Sequence, residues 1–144
     1  MSNAPLRLEE LHKIAEEAEM AKLREALARK KKTEEHEYQL REAFFTSGDP
    51  PPDVIDRLNV SVRHAAEQNR NEILVMRFPA EWCLDKGRAI NNGEADWPQT
   101  LRGRAKRAHE FYEKNLKELG YKVRAEILNY PDGNLGEVGI YLRW

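Results

Sequence analysis

Cys83, Asp85, Arg88, Asn91 and Asn92 fall in one short stretch, with Trp82 before them and Trp97 after. These are the residues whose types and spacing could do chemistry. A cysteine becomes a nucleophile where an imidazole or the positive end of a helix favours its thiolate. Pro79 would open a helix just before Cys83, and His109 would supply the imidazole. The plainer reading is a small hydrophobe, because Cys83 shares a helical pattern with Ala80, Leu84, Gly87 and Ile90. No catalytic residue is therefore assigned. Arg88 offers a fork of donors, and Asn91 and Asn92 add amides beside Gly93, a combination suited to an anionic or polar ligand. Asp85, Trp82 and Trp97 bracket that fork. These six residues form the expected ligand-binding set. The competing reading is capping, in which Asn91-Asn92-Gly93 ends one helix and Asp96 begins the next.

Metal chemistry finds less support. Glu9 and His12 make half of a di-iron helical signature, without its second copy. His64 with Glu67, and His109 with Glu113, are two-ligand sets. Neither a metal nor a cofactor is expected. Arg102, Arg104, Lys106 and Arg107 open a basic helix over 98–119, and residues 98–124 carry an excess of five positive charges. This permits a nucleic-acid reading. The four cations fan around a polar arc and no recognition motif accompanies them, so nucleic acid is not favoured.

The elements that must position these residues can be read in order. From Leu6 to about Thr46 there is no glycine or proline, and strong helix formers dominate. The apolar stripe shifts face, from Leu11, Ile14 and Ala18 to Met20, Leu23 and Leu27, and fades across 29–37. A helix of this length either breaks near Lys32–Glu35 or stands as an arm, and with alanine at several seam positions it is a poor coiled coil alone. Gly48 stops it, and Pro50-Pro51-Pro52 stiffens the connection. Asp53 caps a second helix carrying Ile55, Leu58, Val62 and Ala65. Glu72–Phe78 reads as a strand buried on both faces. Helices follow from Pro79 to Ile90 and from Asp96 to Leu119. Two alternating strands then flank the turn Asn129–Asn134, whose Pro-Asp-Gly signals a hairpin. The expected architecture is α/β (α+β): a helical arm (1–47), a Pro-rich linker (48–53) and a small domain (54–144) of order α-β-α-α-β-β, with helices over a three-stranded sheet.

Composition narrows the setting. The 144 residues carry a net charge of −1 and a single cysteine. No global field attracts nucleic acid or a membrane, and no disulfide framework is possible. The longest apolar run, Ile73–Met76, is far short of a membrane span. The start, MSNAPLRLEE, lacks the pattern of a secretory signal. A cytoplasmic protein without membrane partners is expected.

The pattern Phe78-Pro79-x-x-x-Cys83-x-Asp85-x-Gly87-Arg88-Ala89-Ile90-Asn91-Asn92, followed by Asp96-Trp97-Pro98-x-Thr100-Leu101-x-Gly103, resembles a group of small uncharacterised alphaproteobacterial proteins. The resemblance runs from about residue 72 to the end. It implies a bacterial, cytoplasmic setting and transfers no functional residue. The leading expectation is a small protein–protein interaction or regulatory domain that forms a homo-oligomer, a dimer, through its N-terminal helix. The alternatives are nucleic-acid binding through the basic helix, and a ligand binder or enzyme at the 83–97 loop.

Overall fold

The computed structural model describes residues 4–144. Its elements are α1 (Leu8–Thr46), α2 (Val54–Glu67), β1 (Glu72–Pro79), α3 (Arg88–Asn91), α4 (Gly103–Asn115), β2 (Lys122–Ile127) and β3 (Glu137–Arg143). This is an α+β fold with a long N-terminal helix. The chain divides into two compact units, one up to Ala43 and one from Phe44 to Trp144.

In the first unit α1 runs without a break through Lys32–Glu35. Its continuity follows from composition: no residue between Leu8 and Ala43 is a helix breaker, and Glu25 pairs with Arg29 at 3.2 Å. Every residue of α1 up to Ala43 is exposed.

The second unit holds the sheet, in order β1-β3-β2 with both pairings antiparallel. The β2–β3 hairpin closes at Pro131–Gly133, where Asp132 and Gly133 both take positive φ. One face of the sheet carries Phe78, Val138 and Ile140, which join Phe44, Ala80, Cys83, Ile90, Leu101 and Ala105 in a buried core. Phe44 and Phe45, near the end of α1, are part of this packing. Phe44 lies 4.7 Å from Trp82 and 5.1 Å from Phe78, centroid to centroid, and Phe45 meets Phe44 edge-on.

A charged ladder crosses the sheet. Arg124 donates to both carboxylate oxygens of Glu72, at 2.8 and 3.0 Å, contacts Glu126 at 3.0 Å, and lies 3.9 Å above the Tyr141 ring. These contacts tie β1 to β2 across β3. The expectation that β1 is buried on both faces is also corrected. It is an edge strand, and its Leu74 and Val75 are 45% and 46% exposed. The register slips between Leu74 and Met76, so Val75 is the extra residue of a β-bulge.

Three further expectations need correction. No helix runs from Pro79 to Ile90: Pro79 ends β1, a single 3₁₀ turn covers Ala80–Trp82, and α3 begins only at Arg88. The chain reverses at Lys86 and Gly87, with φ of 61° and 90°, a geometry that no right-handed helix can pass through. Likewise 98–119 is not one helix. A 3₁₀ turn at Trp97–Thr100 gives way to extended backbone at Leu101 and Arg102, and α4 starts at Gly103. Asp53 makes no side-chain cap on α2; its carboxylate takes the Arg57 Nε instead, at 2.8 Å.

Candidate functional site

The loop set suggested by sequence does not converge on one site. Asp85 accepts hydrogen bonds from the backbone N–H groups of Gly87 and Ala89, at 3.0 and 2.8 Å. It holds the turn that leads into α3. Arg88 and Asn92 are exposed, and Asn91 accepts the Tyr130 hydroxyl proton at 3.0 Å. Trp82 packs into the Phe44–Phe45 cluster. Cys83 is buried, and burial, followed by the nearby Asp85 carboxylate, pushes its thiol up to about 11. It is a protonated, packed thiol at neutral pH, which does not suit a nucleophile.

Of the six, Trp97 lines the cavity beside α4. About 510 Å³ of space opens between the inner face of α4, the sheet and the segment from Ser47 to Leu58. This volume falls within the usual range for small-molecule sites, roughly 300–1,000 Å³. Its walls have clear causes. Pro50 and Pro51 stand at one side, where the linker turns into α2 with the Val54 N–H donating to the Pro51 carbonyl at 3.0 Å. The bulge in β1 brings two consecutive residues, Val75 and Met76, into the same wall, where an unbroken strand would send them to opposite faces. On α4 the small residues Ala105 and Ala108 leave the space open, with Leu101 and Leu116 at the ends and Ile140 and Leu142 as floor.

No family model, curated protein or solved structure matches this chain. The reading of the cavity therefore rests on its own chemistry.

Besides Ser47 and the exposed Asp49, Arg57 and Arg104, three polar side chains in the wall define that chemistry. Tyr112 donates its hydroxyl to the Tyr121 carbonyl at 2.8 Å, so its proton is already committed. His109 meets Trp97 edge-on and Tyr112 at a tilt, at 5.9 and 5.8 Å between centroids. Burial holds its imidazole below the usual histidine range; Lys117 acts in the same direction and Glu113 and Glu110 act against it. Arg107 also lines the cavity, and its Nη1 is buried with no hydrogen-bond partner. Among the described residues it is the one buried side-chain nitrogen or oxygen in that state. A second, more open recess lies behind Trp97, His109 and Tyr112, bordered by Lys106, Glu110, Glu113 and Lys117.

The four cations considered for nucleic acid have separate fates. The Arg102 guanidinium lies 4.6 Å over the Phe45 ring, Arg104 and Lys106 are exposed, and Arg107 is half-buried. Among the described residues no cluster of three or more His, Cys, Asp or Glu could hold a metal ion. No described helix is long and apolar enough to cross a membrane.

The cavity was hidden from sequence reasoning because its lining comes from positions 47 to 142. One signal was available. On α4 the cavity-lining positions 105 and 108 are both alanine, the smallest apolar side chain, where a larger residue would fill the space.

Proposed function

We propose that the globular unit binds a small, largely apolar molecule in the cavity between α4 and the β1 bulge. The observation that carries this reading is a concavity of about 510 Å³ with mostly apolar walls and one buried, unpartnered polar nitrogen, that of Arg107. Apolar walls with few convergent polar groups are the usual make-up of a ligand site. A ligand that binds only the folded state raises its melting temperature by mass action. Decanoate or decanol at saturating concentration is thus expected to raise Tm of the wild-type protein. Ala108→Leu, which places extra methyl groups in the cavity, removes most of that rise. Equal Tm shifts in the two proteins, or none in either, would count against binding here.

A second reading is favoured by a separate observation. The N-terminal helix exposes Leu8, Leu11, Ile14, Met20, Leu23 and Leu27, at 43–73% of their surface. Helices in water gain most of their stability from packing an apolar face. This supports self-association through α1, with a second copy supplying the missing contact. Sedimentation equilibrium should show a dimer for wild type and a monomer for Leu23→Glu/Leu27→Glu. A wild-type monomer at hundreds of micromolar would end this reading.

A further inference from the structure

We infer that the molecule taken by the cavity is an apolar monocarboxylate, with Arg107 as the receptor for its single negative charge. The inference rests on the binding reading above and adds the chemical class of the ligand. Arginine is a permanent cation with a planar fork matched to a carboxylate. Buried donors in folded proteins are almost always paired, and a cationic donor left alone is more costly than a neutral one. Arg107 Nη1 is nevertheless buried and unpartnered, on a side chain that lines the cavity. An acceptor arriving with the ligand would complete it once the guanidinium turns toward the cavity.

The other charges around the cavity fix the sign and number. Arg57 is already paired with Asp53 at 2.8 Å. Arg104 and Asp49 are exposed. His109, its protonation opposed by burial, adds no second cation at neutral pH. Arg107, half-buried with one nitrogen buried and unpartnered, is the cation left to meet one negative charge. The remaining wall is mainly apolar, with Leu58, Met76, Leu101 and Leu116 and the one hydroxyl of Ser47, while the Tyr112 hydroxyl is committed to Tyr121. Such a lining has little to offer the hydroxyl groups of a sugar or the base edge of a nucleotide. It suits a hydrocarbon or aromatic body behind a carboxylate head.

Isothermal titration calorimetry of the full chain with decanoate and with decanol tests this, because the two share a tail and differ in the head. A charge-assisted hydrogen bond in a buried site corresponds to decanoate binding about 10- to 100-fold more tightly than decanol. In Arg107→Met the decanoate affinity falls to the decanol level while decanol binding is unchanged. Arg107→Lys, which keeps a point cation without the fork, retains part of the preference and guards against a folding defect in the methionine variant. Equal wild-type affinities for the two ligands would overturn the carboxylate assignment and leave the cavity reading standing. A preference that survives in Arg107→Met would overturn the role of Arg107. If neither ligand binds at millimolar concentration, the cavity reading itself fails and the inference falls with it.

Discussion

Phe44→Ala should lower the stability of the globular unit by about 3–5 kcal/mol, the usual cost of removing a buried phenylalanine side chain. Phe44 is 3% exposed, although it sits in the last turn of a helix whose earlier residues are exposed. Its ring touches Phe45, Phe78 and Trp82, so truncation opens a hole bounded by three large aromatic side chains. Neighbours of that size and stiffness cannot collapse into the space, which places the expected loss toward the upper end of the range. Phe45→Ala should cost less, since Phe45 is half-buried and one face of its ring is covered by the Arg102 guanidinium. Urea titration of both variants gives the comparison. Equal midpoints for Phe44→Ala and wild type would show that the helix end is not part of this core.

Gly103→Ala carries the second large effect, and its origin is backbone rather than volume. Gly103 opens α4 at φ +54°, and a Cβ there would lie 2.5 Å from the Phe44 carbonyl oxygen and 3.1 Å from its Cδ1. The left-handed conformation alone costs an ordinary residue about 1–3 kcal/mol. The steric overlap is additional, because the obstructing atom belongs to a main chain and not to a side-chain tip that can swing aside. Gly93 provides the control. It has φ +67°, and a Cβ added there would meet nothing within 4 Å, so Gly93→Ala carries the conformational cost only. The expected order of denaturation midpoints is wild type, then Gly93→Ala, then Gly103→Ala. A Gly103 variant as stable as the Gly93 variant would mean that α4 and the end of α1 are not in such close approach.

These two positions also show what could be read from the chain and what could not. The long helix, α2 and the hairpin were legible because each depends on local signals: uninterrupted helix formers, a stripe through Leu58 and Ala65, and Pro-Asp-Gly between alternating strands. The segment from Pro79 to Arg102 was not. Its starts and stops are genuine, but Lys86 and Gly87 take left-handed geometry to fit against Ala80, and a methyl on Gly87 would lie 2.9 Å from the Ala80 Cβ. A lysine gives no sequence warning of such a turn. Arg107 was legible only as one of four cations on a polar arc; its place in a cavity wall shared with the linker and sheet is not a local signal. The loop residues Arg88, Asn91 and Asn92 drew attention by type, yet the fold places two of them in solvent and ties the third to Tyr130. Residue type drew attention to the loop, whereas the cavity emerges only from packing.

The central claim, that the space beside α4 is a binding site, is tested most directly by two-dimensional NMR of isotope-labelled protein titrated with decanoate. The account predicts the largest shifts at the Trp97 indole N–H and at the backbone amides of Val75, Leu101, Ala105 and Ala108, saturating together with one affinity. Shifts centred on residues 83–93, or spectra unchanged up to millimolar ligand, would contradict it.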